Sequence, residues 1–318
     1  MFRLPRLVRR GRLREYAEKY PKTQYADSDP RHANTTPRGA DSDPRRAGTS
    51  EDAVTVLTLN IWHDQEDWPA RLEAIVAEVR TMGPEVICLQ EVLQDEGLPN
   101  QAETLAGRLG YEVHFASWDS AGSVKRYGNA ILSRTRILER GHRLLDPPND
   151  FRVALHARVA PANDTLDVYC THLHHTQEQA GVETRRTQVY DALEFIDETR
   201  GDGPVIFAGD FNAAAGAPEL APVRDRFIDA YGALHGDSAD AVTTLNTAKE
   251  HRSERIDHVF FRNGADAELV PRSAEVVLDE PTAAGVWPSD HFGVLVRFAV
   301  MEPPDERLPP PGLRPPGS

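Results

Sequence analysis

VIFAGDFN, residues 205–212, runs four apolar residues straight into Gly-Asp-Phe-Asn. A short apolar run closed by a turn signal reads as a buried strand, here one that delivers Asp210 and Asn212 at its end. Five more polar words stand along the chain: LNIW at 59–62, LQEV at 89–92, THLH at 171–174, RIDH at 255–258 and SDH at 289–291. Most follow an apolar, β-branched run. Asn60, Glu91, His172, Asp257, Asp290 and His291 are therefore expected at strand ends, where a rigid scaffold usually assembles its active site. Taken singly, each word is also satisfied by a turn, an N-cap or a local hydrogen bond. Six of them in one chain make independent turns a poor explanation.

Working outward, further strands are expected at 54–59, 85–90, 111–118, 129–133, 152–159, 166–171, 256–261, 274–278 and 293–300. Residues 68–82 place Leu72, Ile75, Val76 and Val79 on one helical face before Gly83 and Pro84, and a second helix at 183–198 carries Val189, Leu193 and Ile196. Many strands with few helices predict an α/β chain of two packed sheets with helices outside. A singly wound parallel sheet fits less well, because the strands at 152–159 and 166–171 are joined only by a turn. Period-two geometry puts Leu166, Val168, Cys170 and His172 on one face, so His172 emerges at the rim of the core. Asp210 and Asn212 point together if the chain stays extended. The loops at 95–100, 117–126 and 234–252 are expected to rim the cleft, with Lys125 and Arg126 as candidate phosphate contacts or simply a solvated pair.

With 318 residues and 40% hydrophobic content the chain can build a substantial core. No stretch reaches the roughly 18 apolar residues of a membrane span, and no secretory signal is evident, so a cytoplasmic setting is expected. Cys88 and Cys170 read as buried free thiols. Charge is uneven: residues 1–50 hold 12 Lys plus Arg against 6 Asp plus Glu, leaving 24 against 44 in the remainder. Three segments follow. Residues 1–50 are expected to be a disordered basic tail, with ADSDPR at 26–31 repeated at 40–45. Residues 51–300 form the folded domain, and 301–318 a Pro-rich tail. The arginines of FRLPRLVRRGRLR offer a peripheral contact to anionic membrane or nucleic acid, though a solvated arm is the favoured reading.

As a set, the six words resemble the endonuclease/exonuclease/phosphatase superfamily of the deoxyribonuclease I-like type. YGNAILSR at 127–134 matches that superfamily's internal Gly-Asn-Ala strand, and the resemblance spans about residues 53–300. It implies a four-layer α/β sandwich and divalent-metal-dependent hydrolysis of a phosphate ester. It further implies that Glu91 is the principal metal ligand with Asn60 beside it, and that Asp290 is a second ligand or an orienting group. His172, Asp210, Asn212, Asp257 and His291 would be catalytic, and Asn129 and Arg255 would contact substrate. Oxygen donors without a cysteine cluster suit Mg²⁺, with Mn²⁺ as a possible substitute. The base is left open between Asp210 and the Asp257–His291 pair.

Departures narrow the substrate. Trp62 stands where abasic-site endonucleases carry an acid, Leu245 stands where they carry a tryptophan, and HRSERIDH lacks the 5-phosphatase word. LNIW, THLHH and WPSDH look most like sphingomyelinase-like and unassigned members. A phospholipid or other small phosphodiester is therefore expected ahead of DNA or RNA. A noncatalytic relative that binds a phosphorylated ligand is the alternative from another class.

Overall fold

The computed structural model describes residues 53–161, 165–249 and 251–301. The expected basic tail, its tandem repeat and the Pro-rich segment after Met301 lie outside the described residues. The first half of the domain holds β1 (Ala53–Asn60), α1 (Trp68–Met82), β2 (Val86–Gln94), α2 (Gln101–Leu109), β3 (Glu112–Ser117) and β4 (Arg126–Ser133). Next come β5 (Ile137–Leu144), β6 (Val153–Val159), β7 (Leu166–His172), α3 (Gln179–Thr199) and β8 (Val205–Asp210). The chain closes with α4 (Ala221–Arg224), β9 (Ile228–Asp229), α5 (Ala230–His235), β10 (Asp257–Arg262), β11 (Glu268–Val277) and β12 (Gly293–Met301).

These strands form two six-stranded sheets, ordered β11-β12-β1-β2-β4-β3 and β5-β6-β7-β8-β10-β9. Each sheet has one parallel pair at its centre, β1 with β2 and β7 with β8, and antiparallel pairs elsewhere. Trp68, Ile75 and Val79 of α1, with Leu105 of α2, cover one sheet through a core that includes Leu57, Leu89 and Leu132. Val189, Leu193 and Ile196 of α3 pack on Tyr169, Val205 and Phe207 of the other. The inner faces meet where Gln90 Nε2 donates to Cys170 Sγ at 3.3 Å and the Cys170 thiol approaches Leu89 O at 3.6 Å. The result is the expected four-layer α/β sandwich, and both cysteines are buried and unpaired. No helix among the described residues is long and apolar enough to cross a membrane.

The two parallel pairs matter because parallel strands end at the same edge of their sheet. Asn60 lies abreast of Gln90, and His172 abreast of Asp210, which is in turn abreast of Asp257 at the start of β10. Gly209 allows this row. Its φ is +145°, and a Cβ there would meet Thr171 O at 2.0 Å, so any larger residue would push β8 away from β7.

Several expectations shift. β2 continues to Gln94, so Glu91 does not follow the strand but sits inside it, at an irregularity in the pairing with β4 between Leu89 and Val92, with φ +57°. Asn212 has left the extended conformation at φ +52°, because Asp210 Oδ1 accepts its backbone N–H at 2.9 Å. Leu234 is helical rather than part of a loop. α2 and β5 were not anticipated.

Arg71 binds the loop after β1 into place. Its side chain is fully buried on α1, and every hydrogen bond it makes goes to a backbone carbonyl: Ile61, Trp62, His63, Gln65 and, across the chain, Pro288. Burial lowers its pKa to about 10, which leaves it charged at neutral pH. One guanidinium thus holds both the segment after Asn60 and the segment before Asp290. Replacing Arg71 with Met should orphan those carbonyls and cost about 3 kcal/mol, a fall of roughly 6–12 °C in Tm for a domain of this size. An unchanged melting curve would show that the loops hold themselves.

Candidate active site

The row His172–Asp210–Asp257 forms the floor of the cleft, with exposures of 4%, 1% and 0%. Burying two carboxylates side by side is costly unless protons or cations offset them. Asp210 is correspondingly pushed up to about 7, first by burial and then by the Asp257 charge. Asn60 Nδ2 donates to Asp210 Oδ2 at 3.1 Å, and His172 Nε2 lies 3.4 Å from the same oxygen. Burial, then the Arg152 charge, hold His172 well below the usual imidazole range, so it is neutral.

His291 supplies the compensating charge. Its Nδ1–H donates to Asp257 Oδ2 at 2.9 Å, and its Nε2 lies 3.9 Å from Asp210 Oδ2. Burial alone would favour the neutral ring, but Asp257, Asp210 and Asp290 outweigh it and raise His291 to about 10. At neutral pH the group is an imidazolium between two carboxylates. Asp257 Oδ1 is buried without a hydrogen-bond partner, a cost tolerated where positive charge stands close by.

Glu91 and Asp290 occupy the other side. Glu91 is 19% exposed, with His63 Nε2 at 4.0 Å. Its charge helps raise the Asp290 carboxyl, second among the raising causes after burial, and it also weighs on Tyr127. Asp290 accepts from Ser289 Oγ at 3.3 Å and faces His251 Nε2 at 3.3 Å, while Ser289 Oγ also donates to Asn60 O at 2.7 Å.

Two donor groups can be weighed for a cation. Asp210, Asp257 and His291 place ligand atoms within 4.8 Å of one another. There, however, His291 Nδ1 is committed to Asp257 and the ring already carries a proton. Glu91 and Asp290 repel each other and have no arginine or lysine paired with them among the described residues. Their oxygen donors fit a hard divalent cation, with the amide of Asn60 nearby. Asn60 itself accepts the Trp62 N–H on Oδ1 at 3.0 Å, which leaves that oxygen one lone pair.

Not every expected residue joins the cleft. Arg255 is bound to Asp229 by Nη1 and Nη2 at 3.2 and 2.6 Å, and Nη1 also donates to His258 Nδ1 at 2.7 Å. Its donors are used in the packing around α5. Asn129 Nδ2 donates to Val153 O at 2.9 Å and Asn212 Nδ2 to Leu173 O at 3.0 Å, so both amides brace neighbouring strands. Residues not singled out from the sequence stand here instead. Tyr127 and His63 flank Glu91, their rings 6.0 Å apart in an edge-on arrangement, and Arg152 Nη2 donates to His175 Nδ1 at 3.5 Å. Tyr127 opens the word YGNAILSR and His63 directly follows LNIW, while nothing local marks Arg152.

Residues 57–291 match the model of the Endonuclease/Exonuclease/phosphatase family. The chain belongs to this family. Endonuclease/exonuclease/phosphatase proteins are metal-dependent phosphoric ester hydrolases. Tyrosyl-DNA phosphodiesterase 2 of Bos taurus is 25% identical over 259 residues, covering 75% of this chain and 65% of the relative. The Homo sapiens protein of the same name is 24% identical over 278 residues, covering 80% and 71%. The chain thus spans about two thirds of the length of these relatives. A crystal structure of D. rerio TDP2 complexed with single strand DNA product aligns with a TM-score of 0.65 at 21% identity, over 77% of this chain and 98% of that one. At that identity the likeness concerns the fold.

Asp210 binds its proton more tightly folded than unfolded, since its pKa rises from 3.8 to about 7. Stability therefore falls as pH climbs through that window, by an amount on the order of a few kcal/mol once the carboxylate is ionised. In metal-free protein, Asp210→Asn should raise Tm by several degrees at pH 8 and by much less at pH 5. An equal effect at both pH values would show that the Asp210 charge is not strained.

Proposed function

We propose that the protein is a divalent-metal-dependent phosphodiesterase acting on nucleotidyl phosphodiesters, with water as the attacking group. The observation that carries this is the floor of the cleft: a carboxylate poised near neutral pH, flanked by a neutral imidazole and a carboxylate-tethered imidazolium. In-line displacement at phosphorus needs a positioned water, a proton acceptor and donors to the phosphoryl oxygens. Asp210, half-ionised near pH 7, holds the water and takes its proton. His291, tethered through Nδ1 to Asp257, presents Nε2–H to a phosphoryl oxygen, and neutral His172 donates from Nε2. Asn212 braces the turn that aims Asp210. Assigning the base to Asp210 rather than to His291 rests on charge, because an imidazolium raised to about 10 has no lone pair to offer at neutral pH.

Glu91, with Asp290 and Asn60 beside it, would hold Mg²⁺, with Mn²⁺ as a substitute. When bound, such an ion neutralises the non-bridging oxygens and steadies the leaving oxygen. The DNA-directed names of the relatives support a nucleotidyl substrate over the phospholipid expected from LNIW and THLHH. Nothing in the cleft favours the noncatalytic alternative, since each polar group this chemistry needs is present. The unpaired Cys88 and Cys170 thiols support a reducing, cytoplasmic setting. A peripheral contact of the basic segment at 1–50 with membrane or nucleic acid remains a proposal on sequence grounds alone.

Hydrolysis of bis(p-nitrophenyl) phosphate should vanish in chelator and return with Mg²⁺ or Mn²⁺. Asp210→Asn and His291→Ala should each lower kcat by on the order of 10² or more, with the fold checked by circular dichroism. Turnover that persists in chelator would remove the metal, and a near-native rate in either variant would remove that residue from the mechanism.

A further inference from the structure

Phe151 is the feature the reaction chemistry leaves unused. It is 60% exposed, among the most exposed large apolar side chains of the described residues, and its backbone sits at φ +57°, in the left-handed region that disfavours a bulky residue. The surroundings hold it there. The neighbouring Asp150 carboxylate accepts from His174 Nδ1 and Gln188 Nε2, each at 2.6 Å, and β6 begins two residues later with Val153, whose carbonyl is tied to Asn129. An apolar ring kept in a strained, anchored and solvent-facing position is a candidate for ligand contact. The Trp118 ring meets it edge to face, with centroids 6.1 Å apart at 80°.

Arg152 follows immediately and turns toward the reaction centre. Its guanidinium touches His175, and its charge bears on His172 and Tyr127. Its Nε is buried with no hydrogen-bond partner, the nearest carboxylate being Asp150 Oδ2 at 3.6 Å. An exposed aromatic ring is thus followed in the chain by a guanidinium with an unpartnered donor, whose charge reaches the catalytic imidazole. A nucleotide carries a planar base and an anionic phosphate with the sugar between them, which matches that order.

We propose that Phe151, backed by Trp118, is a stacking platform for the nucleobase adjoining the scissile phosphate, with Arg152 receiving a phosphate oxygen at its inner end. This rests on the phosphodiesterase reading above and specifies its substrate. Stacking on an aromatic ring tolerates any base, because every base offers a π face, so the site selects nucleotides without reading sequence.

The test compares two diesters with the same leaving group, thymidine 5′-(p-nitrophenyl phosphate) and methyl p-nitrophenyl phosphate, assayed with Mg²⁺ on the full chain. The readout is the ratio of their kcat/KM values. The ratio should favour the thymidine ester in the native protein, fall about tenfold or more in Phe151→Ala, and recover in Phe151→Trp. A ratio that Phe151→Ala leaves unchanged overturns the platform, whether the two rates stay the same or fall together. Recovery absent in Phe151→Trp also counts against stacking. Turnover of neither ester by the native protein would instead overturn the phosphodiesterase reading, and the platform with it.

Discussion

Two buried carboxylates standing abreast on neighbouring strands set the terms for the rest of the cleft. Asp210 and Asp257 face each other across the β8–β10 ladder by register alone, and neither is open to solvent. Like charges so placed cannot both stay ionised without compensation. The fold answers with a proton on His291, drawn in through Asp257, and with amide donors from Asn60 and the Asn212 backbone onto Asp210. What remains uncompensated is expressed as a carboxylate that titrates near pH 7, which suits it to accept a proton from water. The strain that lowers stability and the basicity that the proposed mechanism uses have one source.

This arrangement divides the cleft by function. On the proposed mechanism the Asp210–Asp257–His291 side would manage protons, because its imidazole is already charged and tethered. The Glu91–Asp290 side has oxygen donors and mutual repulsion and, among the described residues, no guanidinium or ammonium group in direct ion-pair contact, although the Arg71 charge reaches both carboxylates, so a hard cation would be stabilised there. Arg71 connects the two sides mechanically: it grips the carbonyls after Asn60 and the carbonyl of Pro288 ahead of Ser289, Asp290 and His291. A single buried cation on α1 therefore positions loops that belong to both.

Legibility in the sequence followed the range of the interactions involved. α1 was readable to its boundaries, because the apolar face and the Gly83-Pro84 stop are local signals. His172 was readable as the end of a strand because Leu166, Val168 and Cys170 precede it at every second position, although both faces of β7 are buried. Glu91 was recognisable by type but not by place, since the pairing irregularity that turns it depends on β4, more than thirty residues away. The resemblance implies a substrate contact for Arg255, but its partner Asp229 lies on a strand whose pairing no local pattern shows. α2 was hidden by its length and by Gly107, and β5 by its charged, solvent-facing residues, which are typical of a sheet edge. The joint appearance of the six words carried more than any one of them, because parallel strands at the centre of each sheet end at the same edge.

The division between a proton-handling side and a cation-handling side is tested most directly by anomalous diffraction from crystals of the full chain soaked in Mn²⁺. The account predicts a peak bonded to the Glu91 carboxylate on the side facing Asp290, with the His291 Nδ1–Asp257 hydrogen bond intact. A peak held by Asp257 and His291, with nothing at Glu91, would contradict it.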